Sequence, residues 1–342
     1  MISNIRRPAA LLVFTALLCA AAAFGTVNPN SPTGTRGLIL IDKRGAHIRF
    51  FDPQTYKELS SIATDTNPHE IGVSPDHRTA YAPIYGDGVY GNNPHPGHTI
   101  LVLDLASRQV KATIDVSPYI APHGVQVDSA GKVYVTCDLS RKLLVIDPQT
   151  LKVEAAIDTE GTGHWLAVLP DGSKAYIANK NDKAFISVID LRARKMMGRV
   201  AVPDGTQGIT ASPDGKRVLA VEFGKATLAV IDTATDTVVD TVELQGNTKP
   251  AYRVQYSADG TKVLTDNEAE VMVNVLDAAN LHGPQHTLKV GKDPMGFGFA
   301  PDGRTALVGN HGEGTVSVMD IGTGRVLSSF SAGTGIESLA YY

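Results

Sequence analysis

The chain has 342 residues, with 33 glycines, 19 prolines, 19% charged residues and a formal net charge of −4. Length alone allows one large domain or two ordinary ones, but a Gly- and Pro-rich chain with short runs of Val, Ile and Thr favours many short strands joined by tight turns. The mildly acidic balance, with no cluster of Lys and Arg, excludes broad electrostatic attraction for nucleic acid or anionic lipid.

Arg6 and Arg7 open the chain as a basic segment, residues 9–23 form an apolar run rich in Leu and Ala, and small residues follow. Residues 1–25 are therefore expected to be a secretory signal peptide, cleaved after Ala23 or after Gly25, with residues 26–36 as a linker. The apolar run falls short of the ~20 residues that span a bilayer. The mature chain is expected to be periplasmic or secreted, with no transmembrane span. Leu17 and Leu18 before Cys19 argue against a lipoprotein. Cys19 would leave with the leader, so Cys137 would be the one remaining thiol and no internal disulfide could form.

From residue 37 onward a repeat takes over. A strand ending in an acidic residue recurs at Asp52, Asp104, Asp147, Asp190, Asp232, Asp277 and Asp320, at intervals of 42 to 45 residues after a first interval of 52. A turn of the Ser-Pro-Asp-Gly kind runs in phase with it, as at Ser212-Pro213-Asp214-Gly215 and Pro301-Asp302-Gly303. Pro presets φ, Asp bonds its own backbone and Gly accepts φ > 0, so each is a hairpin turn. Every unit reads as four antiparallel strands, A to D, which is a propeller blade. Seven strand-C copies stand against six such turns. The chain begins with strands B, C and D and stops on a lone strand A at Leu339-Ala340-Tyr341-Tyr342. Joining the two makes one whole blade, so residues 37–342 are expected to form an all-β, closed, seven-bladed β-propeller.

Tyr176-Ile177-Ala178-Asn179 followed by Ile186-Ser187-Val188-Ile189-Asp190 resembles the repeat of the exported YVTN-repeat β-propeller proteins, and the similarity extends over nearly all of the mature chain. Val218-Leu219-Ala220-Val221 lacks the aromatic, and Leu264-Thr265-Asp266-Asn267 keeps only the final Asn. The resemblance implies the architecture and not a chemistry, because propellers host many unrelated functions.

In a blade, D-to-A and B-to-C loops share one face. Counting back seven residues from each turn Asp gives the residue at the mouth of strand A: His69, His123, His164, Gln207, Tyr252, Met295 and, less directly, Glu337. Arg253 follows Tyr252 and suits a carboxylate or phosphate. The long connection of residues 85–98 emerges beside His69 and His123 and is expected to form a lid, with Tyr85, Asp87, Tyr90, His95 and His98 as its chemistry-bearing residues. A second ring lies at the ends of strand B: Asp42, Asp138, Asn179, Glu222, Asn267 and Asn310, with Ile84 as the exception. Most of these are expected to satisfy turn backbone; Glu222 and Glu268 fit that role less well. Trp165 is expected to pack between blades.

No nucleophile elbow, phosphate-cradling loop or haem-attachment motif is present. The expected function is therefore that of a non-catalytic binding or scaffold protein of the cell envelope, holding a small molecule or a protein or peptide partner on the His-bearing face. The alternative is a Zn or Cu site on His69, His123 and His164, serving metal carriage or metal-assisted hydrolysis such as that of a lactone, with Glu222 or Glu268 as base.

Overall fold

The two repeated sequence signals close the two kinds of turn. In the A-to-B turn, Ser212 Oγ donates to Asp214 Oδ1 (2.6 Å), the same oxygen accepts Lys216 N–H, and Gly215 supplies φ +69°. In the C-to-D turn, the strand-ending Asp147 accepts the backbone N–H of Gln149 and Thr150 at 3.0 and 2.7 Å. The repeating acids are thus backbone caps, and their period is the period of the hairpins.

The computed structural model describes residues 37–90, 92–180 and 185–342; the expected signal peptide and linker lie outside the described residues. Each of seven blades is an antiparallel sheet of four strands in the order A-B-C-D. Blade 4, for example, runs Gly163–Val168, Lys174–Asn179, Phe185–Asp190 and Lys195–Ala201. In blade 2 strand A is split into Asn67–Pro68 and Gly72–Val73, both paired with Thr79–Gly86. Blade 1 joins the two ends of the chain as the repeat arithmetic predicts. Ile336–Tyr341 pairs with Leu38–Asp42, Leu339 standing opposite Leu40, and the pairing ends in reciprocal backbone bonds between Gly37 and Tyr342 of 3.1 and 3.0 Å.

The core lies between blades. Strands B and C are buried on both faces, so successive residues pack against opposite neighbours. Tyr176 and Ala178 of blade 4 face Ile209, Val218 and Ala220 of blade 5, whereas Ala175 and Ile177 face Tyr134, Leu143 and Val145 of blade 3. The same alternation builds an apolar cluster at every interface around the ring, including those of blade 1 with blade 7 and with blade 2. Strand D is one-sided, as in the alternating exposure of Gln109–Asp115. Among the described residues no helix is long and apolar enough to cross a membrane.

Deleting residues 336–342 would bare the edge of Leu38–Asp42 and the buried side chains of Leu38 and Leu40. The shortened chain is expected to lose its single cooperative urea transition and to associate in size-exclusion chromatography. A monomer with an unchanged midpoint would show that closure of the ring is dispensable.

Candidate functional site

Strand A of each blade starts at one face and runs into the central channel, so the residue at its mouth faces the axis whatever the blade. Six of the seven residues predicted for that position, His69, His164, Gln207, Tyr252, Met295 and Glu337, line one cavity of about 260 Å³. The seventh, His123, lies beneath it, fully buried between its two neighbours.

The three imidazoles form a stack. His123 has its ring centroid 3.8 Å from that of His69 and 3.7 Å from that of His164, with interplanar angles of 47° and 36°. Tyr85 closes one end, edge-on to His69 and His123, and its hydroxyl donates to Asp138 Oδ2 at 2.9 Å. Burial drives all three histidines well below the ordinary imidazole pKa of 6.5, and in His123 and His164 the neighbouring imidazoles add to it. Lys43 Nζ donates to His69 Nε2 at 2.7 Å, which leaves the His69 proton on Nδ1, facing Glu70 and Glu337 at 3.5 and 3.8 Å. Neither nitrogen of His123, nor Nδ1 of His164, nor Oε1 of Gln207 has a hydrogen-bond partner among the described residues.

One residue deeper on the same strands, three long side chains meet across the axis. Arg253 grips Glu70 with two bonds of 2.6 and 3.1 Å and lies 4.1 Å over the ring of Trp165, whose indole N–H donates to Glu70 at 2.9 Å. They border the channel beyond, a space of about 500 Å³. Three of the other blades carry glycine at this level, Gly124, Gly208 and Gly296. A Cβ on Gly124 would lie 2.7 Å from the His164 carbonyl oxygen, and one on Gly208 would lie 2.5 Å from that of Tyr252. Glu337 completes the cluster: burial pushes its carboxyl up, but Lys43, His69 and His311 outweigh this and hold it well below the usual range. His311 Nδ1 stands 3.1 Å and Lys43 Nζ 3.7 Å from its Oε2.

The second ring caps turns, as expected for most of its members. Asp42, Asn267 and Asn310 bond turn backbone at Gly335, Lys249 and Gly291 respectively. Glu222 accepts the Thr227 hydroxyl at 2.7 Å and lies off the cavity. The residues that follow four of the ring positions, Lys43, Lys180, Glu268 and His311, do line it. Glu268 has its carboxyl pKa raised by burial and by Asp293. Alternation along the strand could have revealed these four lining residues.

The loop of blade 2 spans only residues 87–95, because its flanking strands extend to Gly86 and from Pro96. It is braced from within: Asn93 Nδ2 donates to the Tyr85 carbonyl at 2.9 Å, and Asp87 holds the backbone and ring of His95 at 3.1 and 2.6 Å. Tyr90 is the lid residue. It crosses blade 3, packs on His164 at 4.7 Å, and donates to the Lys180 carbonyl beside Thr162 Oγ1. Tyr85 is not on the lid but under it. Asp87, His95 and His98 point to solvent and not into the cavity, since Asp87 and His95 satisfy one another.

Among the described residues, the His, Cys and acidic side chains whose ligand-type atoms all fall within 4.8 Å of one another are His69, Glu70 and Glu337, and not the three histidines. A cation at His69, Glu70 and Glu337 would have to displace Lys43 and Arg253, which already neutralise those carboxylates.

The fold and this axial site define a seven-bladed β-propeller. Residues 126–296, half of the chain, match the model of the family described as "Domain of unknown function (DUF5074)", and the chain belongs to that family. No curated protein matches. Among solved structures the chain is similar to Kuenenia stuttgartiensis hydrazine synthase, at 20% identity and a TM-score of 0.69, over 80% of this chain and 89% of that one. At that identity the likeness concerns the fold alone.

Two outcomes follow from the buried charges. Replacing Glu70 with Leu removes the bidentate partner of buried Arg253 and leaves it Glu337 at 3.7 Å, which should cost about 3 kcal/mol in urea denaturation, whereas Glu70→Leu with Arg253→Met should recover most of it. A purely additive pair would show that the two side chains are not coupled. Because the folded imidazoles have lowered pKa values, the unfolded chain takes up protons that the folded one refuses, so their contribution to stability is present above pH ~6.5 and is lost as pH falls below it. Asp138 and Asp266, raised by burial to about 6 and about 7, act with the opposite sign. The direct check is therefore NMR: at pH 6 all three imidazoles should stay neutral, where an ordinary one is about three-quarters protonated.

Proposed function

We propose that this chain is an exported binding protein of the cell envelope that holds a small molecule in the mouth of its propeller, under Tyr90. The observation that carries this reading is the cavity of about 260 Å³, whose walls come from several blades and contain buried polar atoms without protein partners. Such atoms cost free energy unless a guest or water satisfies them, and concave pockets with a few converging polar groups are where small ligands bind. The propeller fold supports a binding or scaffold role in general. The small concave site favours a small molecule over a protein partner, which would use a broad rim. Export rests on the basic and apolar segments of residues 1–25 and on the resemblance of the repeats to exported YVTN propellers. The Zn or Cu reading of His69, His123 and His164 is less favoured, because the rings are stacked and Lys43 holds one nitrogen.

The test is a thermal-shift panel of neutral sugars, amides, amines and organic acids. Ligand at 100 times its Kd adds about 2.7 kcal/mol, enough to raise the Tm by on the order of 5 °C. At least one class should do so, and Met295→Trp, which fills the cavity, should abolish the shift while keeping the fold. A flat panel would sink the small-molecule reading.

A further inference from the structure

The mouth cavity has an imbalance of charge. Three cations, Lys43, Arg44 and Lys180, line it against two carboxylates, Glu268 and Glu337. Lys43 is matched: its ammonium lies 3.7 Å from Glu337 and donates to His69. Lys180 and Arg44 are not. Neither side chain makes an ion pair or a hydrogen bond with the described residues. The Lys180 ammonium lies instead 5.1 Å from the ring centre of Tyr90 and 5.9 Å from that of Tyr252. Burial is the main reason its pKa falls to about 8; Glu337 pulls it back, and Lys43 adds to the fall.

The neighbouring polar atoms are also unspent. Gln207 Oε1 and His164 Nδ1 have no partner among the described residues, and both residues are only 2% exposed. The imidazoles are neutral, so they offer hydrogen bonds and not charge. An amine would meet three cations at this mouth. A phosphate dianion would bring a second negative charge against Glu268 and Glu337. A monoanion matches the excess of one positive charge, and the Tyr90, Tyr252 and Met295 side chains provide apolar surface for the rest of the molecule.

We infer that the occupant is a small organic monocarboxylate, its carboxylate on Lys180 and its less polar body against Tyr90, Tyr252 and Met295. Charge-assisted bonds between an ammonium and a carboxylate are the strong ones in a site shielded from water. The inference rests on the mouth cavity being the binding site.

Isothermal titration of the purified protein with lactate and benzoate, their neutral counterparts lactamide and benzamide, inorganic phosphate, and benzylamine separates the possibilities. At least one acid should bind tenfold or more tightly than its amide, and phosphate and benzylamine should do no better than the amides. Lys180→Gln should erase the preference of acid over amide, and Lys180→Arg should keep it, which separates charge from folding. The inference is overturned if amides match acids, if phosphate binds best, or if the preference survives Lys180→Gln. Should neutral compounds bind the mouth while no carboxylate does, the pocket stands and the monocarboxylate falls. If nothing in either experiment binds, both fall.

Discussion

Everything distinctive about this molecule depends on the pairing of Ile336–Tyr341 with Leu38–Asp42. A row of sheets that buries both faces of its central strands has no natural end, because the last blade always leaves one apolar face without a neighbour. Closure into a ring supplies that neighbour, as Leu38, Leu40 and Leu339 do against Leu307 and Val316 of blade 7. It also removes the free inner edge, a standing hazard for association. With the ring closed, seven strands A are held around one axis, and any side chain at their start is pointed at six others.

That convergence sets the chemistry. Side chains from different blades are brought together where water has little access, so each charge must find a partner and each weak base must give up its proton. Arg253 and Glu70 meet this demand as a bidentate pair braced by Trp165. Glu337 meets it through Lys43 and His311. His69, His123 and His164 meet it by staying neutral and stacking. The cations left over, Lys180 and Arg44, sit where the cavity opens, and this is the physical basis for expecting a guest of opposite sign. Tyr90, reaching from blade 2 to the Lys180 carbonyl of blade 4, ties the cover of the cavity to the backbone that carries its free ammonium.

Much of this was legible in the residues. The strand-ending acids and the Pro-Asp-Gly turns recur because each caps a hairpin by a local bond, so their spacing counts blades directly. The same register, extended back seven residues, placed five side chains on the cavity and His123 beneath it, and Glu337, reached less directly, lines it too. At the ends of strand B, Asn267 and Asn310 bond loops as expected, and the residues that follow the ring positions, among them Lys180 and His311, line the cavity. On the long connection of blade 2, Tyr90 reaches the mouth as expected, whereas His95 turns to Asp87 instead.

The sequence by itself determined the number of blades, the way the ring closes and which strand ends face the channel, because these follow from bonds between residues a few positions apart and from a strict repeat. Only the tertiary structure decided that Glu70 pairs with Arg253, 183 residues away, that the three histidines stack and do not converge, and that Lys180 has no ion pair among the described residues. Those outcomes depend on distances across the axis between blades, and such distances are set by closure of the whole ring, which no local pattern records.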